Sequence, residues 1–121
     1  LRLVQRSAQI GSWEMDLETE HIICSPEFVE ILGLDSNITS LNYKDFLSRM
    51  YFSSDRERAG QALKRATRSS HDKEYEVQFR INHPSAGERL LASRGRVFYN
   101  EGKPVLIAVL VDLTLRKANH A

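Results

Sequence analysis

Residues able to do chemistry are few in this chain and widely spaced. Cys24 is its one thiol. His21, His71, His83 and His120 are its imidazoles, and no two stand at the helical spacing that lets side chains grip one metal. Glu14, Asp16 and Glu18 recur at every second residue, which sets three carboxylates on one face of a strand. A cation could bind such a comb, but charges on the wet face of a half-buried strand explain it as well, and no metal site is assigned. The serine, phosphate-loop and zinc-protease signatures G-x-S-x-G, G-x-x-x-x-G-K and H-E-x-x-H are absent, and no Cys/His pair has supporting spacing. No catalytic residue is assigned either, and Cys24 reads as a small buried filler.

The basic residues Arg56, Arg58, Lys64, Arg65 and Arg68 gather on one stretch. Glu57 interrupts them, and 17 Lys plus Arg against 16 Asp plus Glu leave a net charge of +1. A phosphate-tracking surface needs a larger basic excess, so they read as the solvated face of a helix and nucleic acid is not an expected partner.

The elements that must position these residues follow from periodicity. LRLVQRSA puts Leu1, Val4 and Ala8 on one helical stripe, a short flanking helix over residues 1–8. GSWEMDLE alternates, with Trp13, Met15 and Leu17 on the buried face of a strand. HIICS continues as a second strand. In SPEFVEILG, Ser25 suits a helix N-cap, Pro26 the first helical position, and Gly33 a left-handed stop. A polar loop runs to Asn42, and Tyr43, Phe46, Leu47 and Met50 then mark a short amphipathic helix. SSDRERAGQALKRATRSS opens with a capping box of Ser54 and Glu57 and carries a stripe of small residues, Ala59, Ala62 and Ala66, with Leu63. The last third is a meander of three strands: EYEVQFRI, ERLLASRGRVFY and VLIAVLVDL. The last of these is apolar on both faces, so both faces are expected to be covered. The order predicts an α+β domain, a five-stranded antiparallel sheet with helices on one face.

At 121 residues with 41% hydrophobic residues the chain can bury one core. Its longest apolar run, Val105–Val111, is far short of the roughly 20 residues that cross a bilayer, so membrane insertion is not expected. The lone cysteine makes the cytoplasm the expected compartment. There is no starting methionine, and VDLTLRKANHA ends in a helix-prone tail, so both ends look cut from a longer protein.

Four stretches together resemble the PAS sensory domain of bacterial signalling proteins, the type with a C-terminal PAC motif: IGSWEMDL, SPEFVEILGL, SSDRERAGQAL, and GERLLASRGRVFYNEGKP through VDLTLRK. The last is similar to the family's G-x-x-R-W hairpin and its closing D-I-T. Leu90 stands where the hairpin Trp is usual, Leu113 replaces the Ile of D-I-T, and Phe52-Ser53-Ser54 replaces a common His-Pro-Asp. Ala108 stands where Gly is frequent, and its methyl narrows any pocket.

The resemblance covers residues 9–115 and implies a sensory module that relays to a covalently linked output domain, a histidine kinase, diguanylate cyclase or phosphodiesterase, through a linker helix starting at 116. Separately, the stripe of Leu1, Val4 and Ala8 is expected to pack over the apolar outer face of the last strand, against its symmetry mate in a homodimer. Alternatives from other classes are a small enzyme or cofactor carrier on the same fold, or a pure dimerisation spacer. Phe28, Ile31, Phe46, Leu63, Tyr75, Val77 and Phe79 are expected between helices and sheet. There they either fill a core or line a small cavity for a small, largely apolar ligand, with Tyr75 or Ser93 as polar contacts. Asp112 and Thr114 are expected at the junction to the output helix, with Thr114 capping that helix.

A flavin-binding member would present a cysteine in the helix around Tyr43–Met50, and a haem-binding member a histidine in the helix after Ser54; this chain has neither. No cofactor is therefore expected, and the purified protein should be colourless. Stoichiometric absorbance in the flavin or haem bands would overturn that expectation.

Overall fold

The alternating segment around Trp13 forms the first strand of a computed structural model that describes residues 9–69 and 73–114. Strand β1 (Ile10–Asp16) turns into β2 (His21–Cys24). Helix α1 (Pro26–Leu32) follows, with the Ser25 hydroxyl accepting from the Phe28 N–H and Gly33 closing the helix at φ 74°. Then come β3 (Ser40–Asn42), α2 (Tyr43–Ser48) and α3 (Ser53–Arg68). The chain closes with β4 (Glu74–His83), β5 (Gly87–Asn100) and β6 (Lys103–Asp112).

All strands pair antiparallel in the order β3-β2-β1-β6-β5-β4. The first and last long strands are central neighbours, in register from Ile10 opposite Val111 to Asp16 opposite Val105. The inward positions Trp13, Met15, Tyr75, Val77, Phe79, Leu106 and Leu110 are buried beneath the helices.

Three expectations need correction. The sheet has six strands, because Ser40–Asn42, expected as loop, pairs with β2. Helix α2 ends at Ser48, and Met50 leaves it to form an isolated bridge with Ile81. The proposed Ser54–Glu57 capping box does not form: Phe52 is the N-cap residue of α3, without a side-chain cap, and Ser54 lies inside the helix. On the outer face of β6, Ile107 is 45% and Val109 41% exposed, and the flanking helix expected to cover them is not among the described residues. The flanking helix and the linker helix lie outside the described residues.

A carboxylate seats α3 in place of a cap. Asp55 has no exposed surface and accepts from the Arg80 backbone N–H at 2.9 Å, from Arg80 Nε at 3.3 Å and from the Arg58 guanidinium. Arg80 also lies over the Phe52 ring, 3.8 Å from its centroid, and its carbonyl accepts from the Tyr51 N–H at 2.8 Å. Arg56 reaches back to the Met50 carbonyl at 2.8 Å, so two members of the basic face are structural. Burial alone would push the Asp55 carboxyl up. Hydrogen bonds from the Arg80 side chain and backbone, then the charges of Arg80 and Arg58, outweigh it and hold the group below its ordinary value.

A depressed folded-state value contributes stability that is present above the unfolded carboxylate value and lost as pH falls through the folded one. Asp55→Ala should cost about 2–4 kcal/mol at neutral pH, because it strands a backbone N–H and unpairs two cations. Denaturant titrations of the wild type should show stability falling below about pH 4, with a shallower fall in Asp55→Ala. Equal slopes for the two proteins would show that Asp55 does not carry the acid response.

Candidate functional site

Strand alternation and the α1 stripe bring the expected pocket residues together under the helices. Phe28, Phe46, Phe79, Tyr75, Ile31, Val77 and Ser93 are all buried, whereas Leu63 is partly exposed at the edge. Between them stands Trp13, an inward residue of β1 not expected in the pocket. Its ring lies 5.0 Å from Phe46, 6.2 Å from Phe28 and 6.0 Å from Tyr75, the last edge-on. Phe46 meets Phe79 edge-on at 5.7 Å. Tilted and edge-on rings at these distances are favourable packing.

Ser93, with Tyr75 one of the two candidate polar contacts, is hydrogen-bonded within the core. Trp13 Nε1 donates to Ser93 Oγ at 2.9 Å, and that hydroxyl donates to the Val109 carbonyl at 3.0 Å. One hydroxyl thus ties β1, β5 and β6 from inside. The Ala108 methyl is accommodated by its cross-strand partner Gly95, where an added Cβ would come within 2.6 Å of Ala108 Cβ.

Two phenols depart from this full pairing. The hydroxyls of Tyr75 and Tyr43 are both buried and have no hydrogen-bond partner. Burial, then the neighbouring Tyr43, pushes Tyr75 upward. Burial, then the charge of Glu20, pushes Tyr43 up to about 12, so its hydroxyl stays a donor at neutral pH. Tyr43 was read from the sequence as a packing residue; nothing in the spacing marked its hydroxyl.

At the far end of the sheet, Asp112 and Thr114 come together. Asp112 Oδ1 accepts from the Thr114 N–H at 2.8 Å, and Oδ2 lies 3.8 Å from Arg89 Nη1. The Thr114 hydroxyl was expected to cap a turn that lies outside the described residues. It accepts from the Leu90 N–H at 2.8 Å and lies 3.4 Å from the Leu90 carbonyl, while the Leu113 N–H donates to that carbonyl at 2.8 Å. The end of β6 is therefore fastened to the start of β5. Leu115 and Ala118, expected to begin an apolar seam, lie outside the described residues.

The remaining candidates stay apart. Burial pushes the half-buried Cys24 thiol up, away from thiolate chemistry. His83 Nδ1 accepts from the N–H groups of Ser85 and Ala86, both at 3.2 Å, so Nε2 carries the proton and donates to the Glu30 carbonyl at 3.1 Å. That imidazole staples the β4–β5 hairpin to α1. No group of His, Cys, Asp and Glu among the described residues could hold a metal. No helix among them is long and apolar enough to cross a membrane.

Ser93→Ala should cost about 1–3 kcal/mol, since it leaves the Trp13 N–H buried without an acceptor. In a double-mutant cycle with Trp13→Phe, the pair should lose less than the sum of the single changes. Strict additivity would show that the hydroxyl and the indole act independently.

Comparisons with known proteins agree with this architecture. The profile of the family described as PAS fold matches residues 21–111. A sensory box histidine kinase/response regulator structure from Burkholderia thailandensis superposes with a TM-score of 0.72 at 26% identity, covering 98% of this chain and 88% of that one. The N-terminal domain of a diguanylate cyclase with PAS/PAC sensor from Marinobacter aquaeolei gives 0.72 at 17% identity, covering 89% and 98%. A domain of a light and redox sensing histidine kinase from Haloarcula marismortui gives 0.72 at 17% identity, covering 93% and 97%. None of the curated proteins matches the chain. The chain belongs to the PAS fold family, the sensory signalling module to which its sequence motifs pointed.

Proposed function

We propose that this module has no catalysis of its own and passes a change in its sheet to a covalently linked output domain through Asp112 and Thr114. One observation carries the reading: the Asp112–Thr114 segment is held by side chains, not by ladder pairing alone. Thr114 grips both backbone groups of Leu90, and Asp112 is shared between Arg89 and the Thr114 N–H. A shift of β5 against β6 therefore changes where the chain leaves the sheet. A histidine kinase or diguanylate cyclase is the class of output in keeping with the two similar bacterial proteins.

The exposed apolar stripe of Ile107 and Val109, beside Ile10 on β1, favours a second role in self-association. A two-fold homodimer through this outer face would bury it. A module that only dimerises would need that stripe and not the junction.

Asp112→Ala with Thr114→Ala, introduced into the full-length protein, should uncouple output activity from its stimulus. The same change should cost the isolated domain about 1–2 kcal/mol by thermal or denaturant unfolding. Wild-type regulation in a folded double mutant would sink the junction. If regulation then fails only when Ile107→Glu and Val109→Glu make the protein monomeric, the spacer reading replaces it.

A further inference from the structure

The register of the central strands lays out the outer face of the sheet row by row. Side chains pointing away from the helices alternate with the buried ones, so Val105, Ile107 and Val109 form a stripe along β6. Glu14 on β1 flanks the stripe on one side, and Arg94 and Arg96 on β5 flank it on the other. One row reads Glu14, Ile107, Arg96 straight across the three strands. Ile107 and Val109 are exposed, and so are the three charged side chains. The face is thus apolar along its middle, acidic on one flank and basic on the other.

These charges are not used up within the chain. Glu14 has no ion pair among the described residues. Arg94 Nε lies 3.4 Å from Glu76 Oε2 and Arg96 Nη1 lies 3.7 Å from Glu74 Oε1, both across to β4. Each contact uses one guanidinium nitrogen and is open to water, so it contributes little and leaves further N–H donors for another acceptor.

A second copy can cover the stripe about a two-fold axis in either of two directions. An axis across the strands sets β1 on the partner's β1 and β5 on the partner's β5, so an arginine flank meets an arginine flank. An axis along β6 exchanges the flanks and keeps every row in place. Glu14 then lies opposite the partner's Arg96 and Arg96 opposite the partner's Glu14, with Ile107 against Ile107 between them. Opposite charges face to face favour a pairing and like charges oppose it, which fixes orientation as well as partner.

We propose that the outer face of the sheet binds a second copy of this chain with the two β6 strands parallel, Glu14 of each copy pairing with the partner's Arg96. The inference rests on the self-association reading above and adds its orientation and its charge contacts. Because β6 runs the same way in both copies, the two Asp112–Thr114 junctions leave one end of the dimer side by side. An antiparallel dimer would send them to opposite ends.

Sedimentation of the whole chain over a range of concentrations tests the pairing. Glu14→Arg, which breaks no ion pair of the single copy, should weaken the dimer about tenfold, and Arg96→Glu likewise. An equimolar mixture of the two variants should associate as the wild type does, since each chain supplies the charge the other lacks. All these positions are exposed, so circular dichroism should show both variants folded. A nitroxide on Lys103→Cys, in a Cys24→Ser background, reads the orientation. Its inter-label distance should be below about 20 Å in the parallel dimer, against about 27 Å or more for antiparallel strands centred on Ile107. A dimer that Glu14→Arg leaves unweakened, variants that fail to complement each other, or the longer distance would each overturn the parallel pairing and leave self-association standing. A chain that stays monomeric at high concentration would overturn both.

Discussion

A single buried carboxylate decides where the long helix lies. Asp55 arrives in the first turn of α3 and meets the backbone and guanidinium of Arg80 on β4. The pairing is affordable because its cations remain partly in water while the acid alone is buried, so the desolvation falls on one group and three donors offset it. Once the first turn is held, Ala59 and Ala66 can lie flat and fully buried on the sheet. The direction of α3 follows from that one anchor.

The interior shows what a PAS scaffold does when an indole stands on its first strand. Trp13 occupies the centre, and Ser93 gives its N–H an acceptor without a water. The aromatic rings around it lock the sheet to α1 and α2. A groove of about 410 Å³ lies at the rim, lined by Met15 at the end of β1, Leu17 in the turn after it and Gly60 on the helix. Packing and openness are thus divided between two neighbouring regions of one hydrophobic surface.

Much of this was legible in the sequence. The alternation around Trp13 and Tyr75, the Ser25–Pro26 start of α1 and its Gly33 stop are local signals, each set within a few residues, and the structure has them. β3 was missed because Ser40–Leu41–Asn42 is too short to show a period and exists by pairing with His21–Ile23. The Asp55 clamp was missed because its partner lies 25 residues away, and an acid after two serines looks like ordinary helix-start chemistry. Of the candidate pocket residues, Phe28, Ile31, Phe46, Tyr75, Val77 and Phe79 share the buried face, and Leu63 stands at its edge. Whether they enclosed a void depended on which way one indole turned, and periodicity carries no volume.

The two central strands have a mechanical consequence. Ile10 lies opposite Val111, so the polypeptide enters and leaves the sheet at the same end, one strand spacing apart. A tug between the two ends would load the β1–β6 ladder at its first rung and unzip it bond by bond, where strands pulled from opposite ends would resist in shear. The domain is therefore soft along the line between its two ends and stiff across it. Such a body can be spliced into a longer rod as a side loop with a narrow base, leaving the rod's path unbroken.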